Sequence, residues 1–301
     1  MKKIKYTSCL VCRNDKLNHF LDCTDHYATQ EKYALYKCDC CGFVFTQDHP
    51  EESEMGRYYD VESYVSHSDT KEGIVNRIYH GARSWMLKQK HKMVVEQSGK
   101  EKGSILDIGC GTGYFLEVMQ CKGWEVDGVE ISPAARSSAE ERLGKQLTGN
   151  MFDLEDDAKT YDVISLWHVM EHLHDLDRTF SLLEKKLKKG GLLIVALPNA
   201  DSADAAYYKE YWGAYDVPRH VWHFCPSTFG LLANNKGYRV ENTLPMHLDG
   251  FYVSMLSEKY KGNIAPFVRG MIYGSMVFIK SLQKKEKSSS VIYFLRKNNE
   301  Q

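Results

Sequence analysis

Two cysteine pairs, Cys9-Leu-Val-Cys12 and Cys38-Asp-Cys40-Cys41, stand 25 residues apart. A C-x-x-C turn aims two thiolates at one centre, and two such turns make the four-thiolate tetrahedron that zinc takes in ribbon modules. The expected ligands are Cys9, Cys12, Cys38 and Cys41. Cys40 falls outside the paired spacing, and Gly42 lets the second turn close. Six of the nine cysteines precede Gly42, and reduced thiols clustered in this way favour a metal over disulfides or a redox pair. The metal's expected role is structural, folding a head that lacks a core of its own.

A second stretch, Leu106-Asp107-Ile108-Gly109-Cys110-Gly111-Thr112-Gly113-Tyr114, joins an apolar run to a helical one. Glycines at a strand-to-helix turn let backbone come close to a ligand, and the helix N-terminus favours a nearby carboxylate. The spacing departs from G-x-G-x-x-G, so no dinucleotide pyrophosphate is signalled and the oxidoreductase reading drops. Further on, His168, Glu171 and His172 in Trp167-His-Val-Met-Glu-His would share one face if a helical turn begins at His168. General base or acceptor positioning, a metal site, and plain hydrogen bonding at a strand–helix junction all fit such a face. In Tyr211–Phe224, Arg219, His220 and His223 suit an anionic or hydroxylated acceptor between Trp212 and Trp222 as flat apolar walls, or the aromatics simply pack the loop.

These groups need a scaffold that brings them to one edge. Ser104–Ile108, Trp124–Val129, Tyr161–Trp167 and Gly190–Leu197 read as strands. Between them lie helical stretches from Tyr114, from Pro133 behind the Ser132 cap, and from Leu176; Pro226–Asn235 is a further helix. Repeated β-α units imply an α/β fold with a parallel sheet covered on both faces, and ligands at the carboxyl ends of its strands. After Tyr238 the alternation breaks into an aromatic and methionine-rich stretch, read as a helical insertion over about 250–287, before a last strand at Ser290–Leu295. The expected organisation is a zinc-ribbon module over 1–50, a Tyr/His-rich helical connector over 51–102, and the α/β body over 103–301. Within the insertion, Phe267, Met271, Ile272, Met276 and Phe278 among Arg269, Lys280, Lys284 and Lys285 make an amphipathic helix. Packing on the body, a substrate lid and peripheral membrane contact are the three readings of it.

The glycine stretch resembles motif I of class I S-adenosylmethionine-dependent methyltransferases, and the likeness runs from about Gly103 to Tyr238 and on toward the chain end. It implies a Rossmann-like, doubly wound, mainly parallel seven-stranded sheet. By the same likeness Asp107 and Gly109 lie beside the methionine moiety, in a loop with Cys110, Gly111 and Gly113. Glu130, followed by Ile131, accepts hydrogen bonds from the ribose hydroxyls, and Asn150 and Met151 fall where the family contacts the adenine. Asp162 and Gly190-Gly191 complete the pattern. Tyr64 and His67, with Tyr58-Tyr59, look like the Tyr-rich segment that covers the cofactor. His168-x-x-Glu171-His172 is similar to the Glu-x-x-Glu-His metal element of ubiquinone-pathway O-methyltransferases, with histidine in place of the first glutamate. That replacement disfavours magnesium, which prefers oxygen ligands.

The implied function is transfer of a methyl group from S-adenosylmethionine to a hydroxyl or other nucleophile of a small or lipid-linked metabolite. His168 would be the general base, with Glu171, His172 and His220 beside it. Similar cysteine-rich heads occur in deoxysugar C-methyltransferases, so a C-methyltransferase of a nucleotide-linked sugar is the alternative. A zinc-ribbon binding module on an inactive methyltransferase-like body is another.

Composition narrows the field further. With 301 residues, 43% hydrophobic and 26% charged, the chain is long enough for more than one core. Its net charge of -1, and a head with seven Lys or Arg against six acids in residues 1–50, lack the basic excess that phosphate recognition needs, so nucleic acid is not an expected partner. No apolar signal follows Met1-Lys2-Lys3 and no run approaches the ~20 apolar residues of a membrane span, so the expectation is a cytoplasmic chain.

Overall fold

From residue 104 onward each short apolar run becomes a strand and each stretch with helical spacing a helix. The computed structural model describes residues 2–59 and 74–298. Strands β1 (Lys3–Ile4), β2 (Leu17–Thr24), β3 (Lys32–Cys38), β4 (Val44–Thr46) and β5 (His49–Pro50) precede helices α1 (Gly56–Tyr59) and α2 (Ile74–Ser98). Then follow β6 (Ser104–Ile108), α3 (Tyr114–Cys121), β7 (Glu125–Val129), α4 (Pro133–Leu143), β8 (Tyr161–Trp167), α5 (Leu176–Lys186) and β9 (Leu187–Pro198). The chain continues through α6 (Ala203–Tyr208), β10 (Trp222–His223), α7 (Pro226–Asn235), β11 (Tyr238–Pro245), α8 (Asp249–Tyr260), α9 (Pro266–Gln283) and β12 (Ser290–Lys297).

Two units interleave along the chain. One comprises Met1–Tyr64, Met170–His174 and Ala196–Tyr293; the other comprises Val65–Val169, Asp175–Val195 and Phe294–Gln301. The chain's main sheet has the strand order β11-β12-β9-β8-β6-β7. In the second unit β6 runs parallel to β7, with Ile108 opposite Val129, and parallel to β8, with Ile108 opposite Leu166. Ile105, Leu106, Val126, Val163 and Ile164 are buried between the strands and their helices. The helix boundaries follow from local chemistry. The Ser132 hydroxyl accepts from the Ala135 N–H with Pro133 at the first helical position, and the Asp175 carboxylate accepts from the Arg178 N–H at 2.9 Å.

Six strands stand where seven are expected among the described residues. The seventh position is reduced to a single parallel bridge, Val129 to Thr148. The short segment between Gly144 and Asn150 offers only Leu147 as a large apolar side chain, too little to hold a strand against an edge. Tyr238–Pro245 is also a strand, although the alternation had been expected to end at Tyr238. Its exposed positions carry Arg239 and Glu241, and this charged character hid the period-two signal.

In the first unit β2, β3 and β4 form an antiparallel sheet whose fourth strand is β10, with Trp222 opposite Phe45 and His223 opposite Val44. Its core gathers Tyr33, Leu35 and Tyr58 with Tyr208, Trp212, Tyr215 and Val217.

Candidate functional site

In the second unit, the site grows out of the ends of β6 and β7. The Gly109 and Cys110 N–H groups both donate to the Val129 carbonyl, at 2.8 and 3.0 Å, which folds the loop back across the neighbouring strand. Gly109 has φ +73°, and a Cβ there would stand 2.4 Å from Val169 Cγ2, so no side chain fits. Gly111 has φ +55° with open space where a Cβ would be. Glu130, one residue past β7 and 9% exposed, turns its carboxylate to this loop: Gly111 N–H donates to Oε2 and Ser132 N–H to Oε1, both at 2.8 Å. Each oxygen therefore keeps a lone pair for a further donor. Ile131 beside it is 75% exposed.

Asp107 lies on β6 and is buried. Burial pushes its carboxyl up to about 7, against the pull of the Ser165 hydroxyl that donates at 2.6 Å. Cys110 is buried and its thiol is raised by that burial. Asn150 caps the 3₁₀ turn Met151–Leu154 by accepting from Phe152 N–H at 3.0 Å, and Met151 is buried. Gly113 closes the loop at the start of α3. Tyr64 and His67, expected over the cofactor, lie outside the described residues.

The expected helical face from His168 does not form. His168 takes a left-handed φ of +57°, and the 3₁₀ turn begins only at Met170 and ends at His172. A left-handed, non-glycine residue at a strand's carboxyl end breaks helical spacing, so His168 is not one step of an i, i+3, i+4 series. It stands two residues past Leu166, the partner of Ile108 in the β6–β8 register, and beside Val169 of the Gly109 contact.

In the first unit, Glu171 and His172 meet His220 instead, with one ligand atom from each within 4.8 Å of the others. The two imidazoles pack edge to face at 4.5 Å between centroids. Backbone carbonyls set their tautomers. His172 Nδ1 lies 3.1 Å from the Arg219 carbonyl, and His220 Nδ1 lies 2.9 Å from that of Ala214. A carbonyl only accepts, so Nδ1 of each ring donates to it, and Nε2 is the nitrogen left for another partner. Burial, reinforced by the neighbouring His220, pushes His172 down to about 4.

Arg219 does not serve an acceptor. It is 1% exposed and held through all three of its nitrogens: Nη2 donates to Asp25 at 2.9 Å and to Asp216 at 2.6 Å, Nε to Asp216 at 3.0 Å, and Nη1 to the Tyr58 carbonyl at 2.9 Å. Burial works against ionising Asp216, and Arg219 outweighs it, holding the carboxyl below its ordinary range. His223 is also interior. Thr46 Oγ1 gives its proton to the His220 carbonyl, so His223 Nε2, 3.0 Å away, donates to that hydroxyl. Trp212 and Trp222 are buried with their indole N–H groups on Asp204 and the Leu173 carbonyl, at 2.9 and 2.7 Å. Interior packing, rather than a substrate wall, is what these residues do. The signal that could have shown it is Asp216, three residues before Arg219, a spacing that lets one side chain close on the other.

The four cysteines are brought together, with one ligand atom from each within 4.8 Å of the others. Sγ of Cys9 is 3.5 Å from that of Cys41, and Cys12 is 3.5 Å from Cys38. The two knuckles share one backbone design: Arg13 N–H donates to the Cys9 carbonyl and Gly42 N–H to that of Cys38, both at 2.9 Å. Each of these donor residues has positive φ, +63° and +78°. Tetrahedral thiolates at ~2.3 Å from a zinc ion would stand about 3.8 Å apart, so this set fits the ion after a small adjustment.

A family model described as a methyltransferase domain matches residues 82–243, just over half of the chain. The chain belongs to the methyltransferase-domain family. Ubiquinone biosynthesis O-methyltransferases are similar to the methyltransferase region. The Mesorhizobium japonicum protein is 34% identical over 104 residues, 32% of this chain and 41% of that one. The Rickettsia typhi protein is 23% identical over 154 residues, 49% and 61% of the two chains. The chain spans 41 to 48% of the length of the first curated relatives it matches. Among solved structures, StiE O-MT residues 961–1257 share the fold at TM-score 0.50 and 16% identity, over 76% of this chain and 79% of that one. A Galdieria sulphuraria structure named as a sarcosine dimethylglycine methyltransferase does so at 0.50 and 16%, over 71% and 86%. The residues around Gly111 fit a methyltransferase cofactor: a buried acid with spare lone pairs for vicinal hydroxyls, open space over a glycine, and an exposed isoleucine for a flat ring.

Proposed function

We propose that the chain moves the methyl group of S-adenosylmethionine to a hydroxyl of a small or lipid-linked metabolite. The observation that carries this is the Glu130 carboxylate, fixed by the Gly111 and Ser132 N–H groups beside open space at Gly111. Membership of the methyltransferase-domain family and the O-methyltransferase names of the relatives support it. When bound, S-adenosylmethionine supplies an electrophilic methyl whose leaving group is a neutral thioether. Glu130 would accept the ribose hydroxyls, the glycine loop would hold the methionine moiety beside Asp107 and Gly109, and Asn150 and Met151, with Ile131, would stand by the adenine. His168 would take the acceptor's hydroxyl proton, so that the oxygen could accept the methyl as the carbon–sulfur bond breaks and the thioether leaves. Its left-handed backbone is the kind of strain, about 1–3 kcal/mol, that clusters at working sites.

The test is transfer of labelled methyl into cell extract separated into lipid, RNA, protein and small polar fractions, with wild type and His168→Ala. Label in lipid or small molecules, lost in His168→Ala while S-adenosylhomocysteine binding persists, is the expected result. Label confined to RNA overturns the acceptor class, and full turnover by His168→Ala removes the base.

Cys9, Cys12, Cys38 and Cys41 hold one structural zinc in this reading, and a reducing cytoplasmic compartment suits them. A second reading concerns Glu171, His172 and His220, whose two imidazoles and carboxylate match the donors a transition metal takes. Metal analysis separates the cases: one zinc per chain fits the head alone, and a second equivalent lost in His220→Ala fits the added site.

A further inference from the structure

Helix α9 divides its circumference into three. Gly270, Gly274, Val277 and Ser281 are buried. A Cβ at Gly270 would stand 2.5 Å from Met255 Cα, and one at Gly274 2.7 Å from Phe251 Cα, so α9 meets α8 backbone to backbone. At 3.6 residues per turn, the outward half carries Phe267, Val268, Met271, Ile272, Ile279 and Leu282, and it holds no ionisable residue. These side chains are 40 to 66% exposed. The remaining edge presents Arg269, Lys280 and Lys284, and Lys280, Lys284 and Lys287 line an open cavity of about 400 Å³ at the helix's C-terminal end. Residues 261–289 hold six Lys or Arg and one acid, Glu286.

From this arrangement we infer that α9 docks on an anionic lipid bilayer, with its apolar half among the acyl chains near the headgroups and its lysines against lipid phosphates. No helix among the described residues is long and apolar enough to cross a membrane, so α9 would lie in the interfacial plane. The glycine contact makes α8 a rigid backing that holds the apolar half outward. Charge chooses the occupant. Arg269 is paired with Glu258 and Lys287 with Asp201, which leaves Lys261, Lys280, Lys284 and Lys285 against Glu286; a second copy meeting the same face by two-fold symmetry would set that basic excess against itself, whereas anionic headgroups complement it. The inference goes beyond the proposed methyl transfer, and its readout needs no turnover.

The experiment is flotation of the full chain with vesicles of phosphatidylcholine alone and of phosphatidylcholine with one-third phosphatidylglycerol. Binding to the mixed vesicles is expected, at least about tenfold weaker to the neutral ones and weakened again by salt. Ile272→Glu with Ile279→Glu, both on the exposed half, should lower binding more than about tenfold with an unchanged thermal melt. Lys280→Gln with Lys284→Gln should lower it by at least about fivefold. The inference is overturned by wild type that fails to float with mixed vesicles, by equal binding of the double-Glu variant, or by a concentration-dependent dimer that those two glutamates dissolve. A chain that floats as described yet transfers no methyl would sink the proposed function and leave this inference standing.

Discussion

The glycine loop and the Glu171–His172–His220 group solve the same problem in opposite ways. The loop 109–113 is contiguous, and backbone N–H groups do its work: Gly109 and Cys110 bind the Val129 carbonyl, and Gly111 holds Glu130. The histidine group joins residues 48 apart and depends on carbonyls of Ala214 and Arg219 to fix which nitrogen carries the proton. A site made of backbone tolerates neighbours of any type as long as the glycines stay. One made of side chains depends on everything that holds those side chains, here the Arg219 ion pairs.

The largest test of that difference is Arg219→Met. It leaves the buried Asp25 and the partly buried Asp216 without their cation and should cost about 3–5 kcal/mol of stability in urea unfolding. A variant as stable as wild type but unable to use its acceptor would return Arg219 to substrate recognition and break the comparison. Next comes pH. His172 titrates at about 4 in the folded chain and near its ordinary 6.5 when unfolded, so above pH 6.5 it is neutral in both states and without effect. Below that the unfolded chain binds the extra proton. Stability should therefore fall by up to about 3 kcal/mol as pH drops from 6.5 to 4, and His172→Gln should flatten part of the fall in thermal melts.

Smaller effects belong to the loop. Glu130→Gln keeps shape but weakens the acceptor oxygens, and affinity for S-adenosylhomocysteine should fall about 10- to 100-fold by calorimetry, roughly 1.4–2.7 kcal/mol. Unchanged affinity would take the ribose role from Glu130. Smallest of all is Ile131→Ala: exposed as the residue is, stability should stay within about 0.5 kcal/mol and the affinity should drop only a few-fold. A larger loss of fold would mean that Ile131 packs rather than waits for a ring.

Legibility followed the same line. The loop could be read because three glycines between a strand and a helix have few other uses, and the cysteines because each knuckle closes through its own neighbours, Arg13 and Gly42. Arg219 and His223 between Trp212 and Trp222 read equally as an acceptor site or as loop packing, because residue type says nothing of burial. Only the fold supplied Asp25, 194 residues from Arg219, and Thr46, 177 residues from His223. The shared face of His168, Glu171 and His172 depended on a helical turn beginning at His168, and the left-handed backbone of that residue rules the turn out. That six strands rather than seven stand among the described residues follows from one polar segment that forms a single bridge.

The strand pair β4–β10 has a consequence in time. Trp222 and His223 complete the cysteine-bearing sheet by pairing with Phe45 and Val44, yet on the ribosome they emerge long after those partners. At about 5–20 residues per second the intervening stretch takes roughly 10–35 seconds to make. Throughout that interval the nascent head carries an open sheet edge at β4, the kind of edge that pairs with another chain until its own partner strand arrives.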